Sequence, residues 1–302
     1  MLKTMIRITG LCAATAALAM AFFLLTPTPA LAGTDEQTVI KLFTDEGVVS
    51  VTMADYLPLA VAAEMPVSFG PEALKAQAVA ARTYVLSARR HDAADVCTDS
   101  GCCLAYRTRD ELRALWGDAY EENLAAVTEA VAATDGQILT YGDEPIQAVF
   151  HASSWGSTAS SGSVWGALPY LTGVPTPETP ESVPGLMSEA RFSPTELCAR
   201  LSIAPEGEPE TWLTPPVPDE SGRVASVTIG GTVFSGAAVR AALGLKSTAF
   251  TARFEDGCFV FTAAGSGHGV GMSQYGAKLL AADGWTYDAI LLYYYPGATL
   301  RR

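Results

Sequence analysis

Positive charge is what this chain has least of. Its 302 residues carry 19 Lys and Arg against 32 Asp and Glu, with three His, for a net charge of −13 and a pI near 4.6. A nucleic-acid partner calls for a basic footprint, so that class is excluded. Electrostatic adhesion to anionic lipid or teichoic acid is excluded on the same ground. Charged residues make up only 17% and hydrophobic ones 49%, which rules out a disordered, self-repelling chain. No internal repeat occurs, and no second long apolar run follows the one near the N-terminus. Regular strand–helix–strand alternation is also missing. What remains is helices interspersed with β-hairpins, the pattern of a mixed α+β fold in one large domain or two small ones.

The first 32 residues read as a targeting segment. Lys3 and Arg7 form a basic start, Ile8 to Leu25 is apolar and free of charge, and Ala30-Leu31-Ala32 is a small-x-small cleavage signal. The apolar run is long enough to serve as an uncleaved anchor, and the charges before it orient the body outward. Residues 1–32 are therefore expected to be a signal peptide or membrane anchor, with 33–302 working on the extracytoplasmic face or secreted. Beyond residue 32 the balance is 17 basic against 32 acidic residues, a net of −15.

Thr38 to Phe43 and Val48 to Met53 alternate about Asp45-Glu46-Gly47 and predict a hairpin. Helices are expected over Asp110 to Trp116 and Glu121 to Thr134, with Gly136 just past the second. Gln137 to Tyr141 and Ile146 to His151 predict a second hairpin. Ala152 to Gly162 is Ser/Gly/Thr-rich, the composition of a linker. Thr172 to Pro184 and Pro205 to Pro218 read as loops, the latter as a boundary or insertion. Ser193 and Ser235 each open a short helix, and Val224 to Ile229 pairs with Thr232 to Phe234 over Gly230-Gly231. Phe259 to Ala263 is a strand leading into Gly265–Gly269. Ser273 caps a helix to Ala282, and Tyr287 to Tyr294 forms the last one.

Tyr56 to Leu86, YLPLAVAAEMPVSFGPEALKAQAVAARTYVL, organises the chain. Glu64 ends an apolar run directly before Met65-Pro66, and Pro66 stops the helix from Tyr56. Gly70-Pro71 then open a helix rich in strong helix formers, with Leu74, Ala78, Ala81 and Val85 on one face. A carboxyl at a helix end in apolar surroundings has a raised pKa and suits a general acid. Further on, His91, Cys97 and Cys103 stand at H-x5-C-x5-C spacing in a polar loop, three ligands that suit Zn²⁺. Cys102 either completes the set or forms a disulfide with Cys97. Five cysteines lie beyond residue 32; if Cys198 pairs with Cys258, the odd three left over fit a metal site better than a closed disulfide set. The glycines about His268 in GSGHGVGMSQYGA let backbone approach a ligand, and the helix start at Ser273-Gln274 offers donors to a sugar. Tyr275, Tyr293, Tyr294 and Tyr295 either stack on sugar rings or pack the core.

Three stretches resemble the stage II sporulation protein D family: YLPLAVAAEMP with EALKAQAVAARTYVL, FHASSWGSTASSGSVWGALPY, and GSGHGVGMSQYGAKLLAADGWTYDAILLYYYPG. They occur in family order, as blocks at 38–90, 146–171 and 265–297, and the middle block overrules the linker composition of Ala152 to Gly162, since the resemblance implies that this stretch lies beside the active cleft. The resemblance implies a cleft formed by helices and hairpins and a peptidoglycan lytic transglycosylase. Such an enzyme cleaves the MurNAc–GlcNAc bond of peptide-stripped glycan strands to 1,6-anhydroMurNAc ends. It implies a role in sporulation, at engulfment, beside a peptidoglycan amidase and other engulfment proteins. Glu64 matches the family's catalytic Glu. Arg82, Tyr84, Ser153, His268, Ser273, Gln274 and Tyr275 are implied glycan contacts, and His91, Cys97, Cys102 and Cys103 the zinc ligands. The chain departs from the family at Cys102-Cys103-Leu104, in place of His-Cys-Gln, and at Trp155 and Ala159, where Gly and Glu are usual. A non-catalytic amidase enhancer that binds glycan or amidase is the competing expectation.

Overall fold

The computed structural model describes residues 33–88 and 90–302; the expected targeting segment lies outside them. β1 (Val39–Thr44) and β2 (Gly47–Thr52) form the first hairpin, with Ile40 and Leu42 turned inward. Thr52 caps α1 (Met53–Glu64) by accepting the Asp55 N–H, so the helix starts three residues before Tyr56. It ends where expected. Met65 is extended because Pro66 follows, and its N–H closes on the Val61 carbonyl.

Gly70, at φ 91°, and Pro71 start α2 (Pro71–Ser87). Its sequence predicts one apolar face, but the helix is buried all round from Ala76 to Val85. Small side chains explain this: Ala73, Ala76, Ala78, Ala80 and Ala81 let neighbours approach from every side. Those neighbours are α1, α4 (Tyr120–Ala133), α7 (Gln274–Ala282), α8 (Tyr287–Tyr294) and β4 (Ile138–Tyr141). Between α2 and α4 lie β3 (Val96–Cys97), parallel to β1, and α3 (Arg109–Trp116), opened by a Thr108–Glu111 capping box.

The second hairpin is only partly formed. β4 pairs with the two-residue β5 (Glu144–Pro145), and its other edge takes β14 (Thr299–Arg301). Phe150–His151, expected in the same hairpin, is instead β6, parallel to β13 (Met272–Ser273). The Ser/Gly-rich stretch after it is not a linker. Ser153 bridges Ser266, Ala159 pairs with Val270, and Ser154 and Ser161 are fully buried.

Residues 187–264 build a lobe with its own core of Phe192, Leu197, Val239, Leu243, Phe259 and Phe261. Its elements are β7 (Met187–Phe192), α5 (Pro194–Leu201), β8 (Val217–Pro218), β9 (Val224–Ile229), β10 (Thr232–Ser235), α6 (Gly236–Leu243), β11 (Phe250–Glu255) and β12 (Cys258–Ala264). The expected boundary at Pro205–Pro218 thus falls inside the lobe. β12 is the central strand between β11 and β7, and Trp212 stacks on its Phe259 at 5.6 Å. The architecture is α+β, as expected. No helix among the described residues is long and apolar enough to cross a membrane.

Candidate active site

The end of α1, the end of α2, the cysteine loop, β6 and the Gly-rich turn enclose a cleft of about 800 Å³. Glu64 is the one carboxylate among the described residues that line it. The Ala105 N–H donates to Glu64 Oε1 at 2.6 Å. Gln274, first residue of α7, donates from Nε2 to the Glu64 carbonyl at 3.1 Å and to Gln77 Oε1 at 3.2 Å. Burial pushes the Glu64 carboxyl up, and the Ala105 and Gln274 hydrogen bonds offset part of that rise. A carboxyl held in this balance can give a proton and take one back. The other acids nearby in sequence are engaged elsewhere: Asp55 with its cap Thr52, Glu72 with Lys75 and the Tyr287 N–H.

The implied glycan contacts divide. Tyr84, His268 and Gln274 line the cleft together with Glu64. Arg82 does not. It is 1% exposed and clamps Asp35 with two bonds of 2.6 Å, while Nη1 donates to the Gln137 carbonyl at 3.0 Å. A helix Arg with a single acid partner looks the same in sequence whether the pair is buried or solvated; here the partner lies in the segment before β1. The cation among the described lining residues is Arg90, beside Tyr84. Ser153 and Ser273 are buried behind the wall, the first bridging Ser266 through its backbone, the second capping α7 and donating to Glu178. Tyr275 packs on Phe69 at 4.8 Å, outside the cleft. Tyr294 and Tyr295 are core residues, and the Tyr293 hydroxyl donates to the Pro175 carbonyl.

Sequence reasoning missed Trp165 and His151, both in the cleft wall. Trp165 is 47% exposed and meets the His268 ring edge-on at 5.2 Å. An exposed Trp beside an acid is a suitable platform for a sugar ring. Its signal was present, a Trp in a stretch otherwise poor in large apolar residues. The Val270 N–H donates to His268 Nδ1 at 3.1 Å, which leaves the ring proton on Nε2. Burial, with the charges of Arg240 and Arg223, pushes this imidazole down to about 4, so it is neutral at physiological pH.

Cys102 and Cys103 form the opposite wall. The ligand atoms of His91, Cys97, Cys102 and Cys103 lie within 4.8 Å of one another. His91 Nε2 is 3.4 Å from Cys103 Sγ and 3.6 Å from Cys102 Sγ, and the two sulfurs are 3.9 Å apart. A tetrahedral zinc with Zn–S of about 2.3 Å and Zn–N of about 2.0 Å places its ligand atoms roughly 3.5–3.8 Å apart, so the set fits. Burial, then neighbouring thiols, pushes Cys103 up to about 12, and a bound cation is what would let such a cluster ionise. All five cysteines beyond residue 32 are free thiols, so neither a Cys97–Cys102 nor a Cys198–Cys258 disulfide is made.

The family model described as Stage II sporulation protein matches residues 45–141, which hold Glu64 and the cysteine loop. Stage II sporulation protein D of Bacillus subtilis (strain 168) is 36% identical over 264 residues, covering 85% of this chain and 76% of that protein. The protein of the same name from Bacillus amyloliquefaciens matches equally well, at 36% over 264 residues. The amidase enhancer of Bacillus subtilis (strain 168) is 27% identical over 296 residues, 78% of this chain and 39% of that longer protein. Identity of this level, over most of both chains, makes this protein a member of the stage II sporulation protein D family.

Proposed function

We propose that this protein is a peptidoglycan lytic transglycosylase that cuts the MurNAc–GlcNAc bond of peptide-stripped glycan strands. The observation that carries the reading is the solitary carboxylate in the cleft. Hydrolytic glycosidases use a pair, an acid and a nucleophile or base. One suffices when the substrate supplies its own nucleophile. Glu64 gives its proton to the bridging oxygen as the bond from C1 to that oxygen breaks. The carboxylate then takes the proton from the 6-hydroxyl of the same MurNAc as O6 bonds to C1. A 1,6-anhydro end results, and Glu64 is again protonated. The Ala105 N–H holds the carboxylate and Gln274 holds the Glu64 main chain, while Trp165, Tyr84 and Arg90 form the walls along which a strand would lie.

His91, Cys97, Cys102 and Cys103 would hold Zn²⁺ as a closed four-ligand set, which is structural rather than catalytic chemistry. That role is to order the loop that brings Ala105 to Glu64. The purified protein is expected to contain one zinc per chain by elemental analysis. Stripping it with a strong chelator should lower the melting temperature and release thiols to a colorimetric reagent. A metal-free preparation with the same melting curve would remove zinc from this account.

Membership of the family supports a role in sporulation; we set that role at engulfment, on strands that an amidase has cleared of stem peptides. Residues 1–32 would export the body or tether it to the membrane. Mass spectrometry of fragments from amidase-treated glycan tests the activity: anhydro-ended products are expected. The amidase-enhancer relative supports a second reading. If the protein releases no fragments, yet raises an amidase's rate on the same glycan, it is a non-catalytic enhancer.

A further inference from the structure

No residue of the second lobe lines the cleft, yet one of its side chains reaches the underside of the wall. Arg223, directly before β9, is 2% exposed. Its Nη2 donates to Ser154 Oγ at 2.9 Å. Its guanidinium lies against Gly269, where a Cβ would stand 2.5 Å from Cζ. Gly269 also has φ +84°, so that position requires glycine twice over.

From Arg223 the hydrogen bonds run in one direction only. A guanidinium donates and cannot accept, so Ser154 Oγ accepts there and its own proton must go elsewhere. The partner is His151 Nε2, 2.6 Å away. His151 Nδ1 lies 3.1 Å from the Val270 carbonyl, which only accepts, so the ring proton is on Nδ1 and Nε2 is free to take the Ser154 hydroxyl. The Val270 N–H in turn donates to His268 Nδ1. His151 and His268 are therefore held as opposite neutral tautomers, with ring centroids 5.7 Å apart. Burial, and the charge of Arg223 itself, keep both rings neutral. Glu178 anchors the same region, accepting the Ser154 N–H at 2.8 Å and the hydroxyl of the α7 cap Ser273.

We propose that Arg223 is a positioning residue: through Ser154 it fixes His151 and His268, so the second lobe sets the glycan-binding wall without touching the glycan. The inference rests on the proposed activity for its kinetic arm, but not for its spectroscopic one.

The chain has three histidines, so their ring nitrogens can be resolved by ¹⁵N NMR in the full-length protein. The parent should give His151 protonated on Nδ1 and His268 on Nε2. In Arg223→Met, and independently in Ser154→Ala, His151 should keep its Nδ1 proton on the Val270 carbonyl, while its Nε2 signal should shift as the Ser154 hydroxyl is displaced or lost, and the signals of the neighbouring His268 ring should shift with it. Turnover of peptide-free glycan should fall by on the order of 10- to 100-fold in kcat/KM, as expected when the wall no longer holds the scissile bond within about 1 Å of its place at Glu64. Arg223→Lys, which keeps a donor but not the planar fork, should recover part of the loss. Arg253→Met, which breaks surface ion pairs of the same lobe, should leave both readouts at parent values. Should Arg223→Met fail to fold, Ser154→Ala decides. If the folded variants keep the parent signals at His151 Nε2 and at His268, or shift them at unchanged turnover, the proposal is wrong. A parent that cuts no glycan would end the enzymatic reading, and the ¹⁵N measurement would still decide whether Arg223 organises the wall.

Discussion

Glu64→Gln is expected to abolish release of anhydro-ended fragments while leaving glycan binding in place. The amide keeps the shape of the carboxyl and still accepts from the Ala105 N–H, but has no proton to give. General acid–base help is worth about 10²–10⁴-fold, and here one group performs both steps, so the rate should fall to near background. Binding persists because Tyr84, Trp165 and Gln274 are untouched. The parent rate should also decline as the pH rises through the elevated Glu64 pKa, since the acid must start protonated. Stability carries the matching sign. A carboxyl raised by burial binds its proton more tightly folded than unfolded. Its contribution is full below the unfolded pKa and is lost as pH rises through the folded one. The Gln variant has no such loss, so its melting temperature should gain on the parent's between acidic and neutral pH. A well-folded Gln variant that releases fragments at the parent rate would refute the single-carboxylate mechanism.

Arg82→Met should unfold the protein at much lower temperature, with no specific effect on glycan contacts. Both members of the Arg82–Asp35 pair are buried, with side chains 1% and 6% exposed. Removing one partner leaves the other charge uncompensated in the interior, which costs about 3–5 kcal/mol. The guanidinium also donates to the Gln137 carbonyl, which loses that donor, whereas the Val131 carbonyl keeps the Thr134 N–H and hydroxyl. A loss of that size corresponds to roughly 10 °C for a chain of this length. Calorimetry of Arg82→Met and Asp35→Asn should show comparable losses, and the double variant should lose less than their sum. Unchanged melting with weakened glycan binding would return Arg82 to the site.

Much of the local structure was legible because its causes are local. Capping reaches three residues: Ser193 with Glu196, Ser235 with the Ala238 N–H, and Ser273 with the Gly276 N–H set their helices from within one turn. The helix break after Glu64 needs only Pro66, and the Gly-bracketed turn at His268 needs only glycines at positive φ. The strands were less legible. β7 and β11 escaped because each leaves one face outward with charged residues such as Glu189 and Arg253, and their apolar halves matter only against β12. Ser154 escaped because a serine-rich composition describes a linker until its partners are known.

The sequence by itself determined where the chain turns, which segments are helical, and that Glu64 stands at a helix end in apolar surroundings; it offered His91, Cys97 and Cys103 as candidate metal ligands and left Cys102 open between ligand and disulfide. The tertiary structure alone decided which polar groups face the cleft. Arg82 and Arg90 lie on and just beyond the same helix, yet one meets Asp35 in the interior and the other borders the cleft. Ser153 and Ser273, matched to the family's site, sit behind the wall, while Trp165 and His151 form it. The reason is range. Caps and helix breaks act within a few residues, whereas β6 finds β13 some 120 residues away, and burial of a polar group depends on partners that only the folded chain brings together.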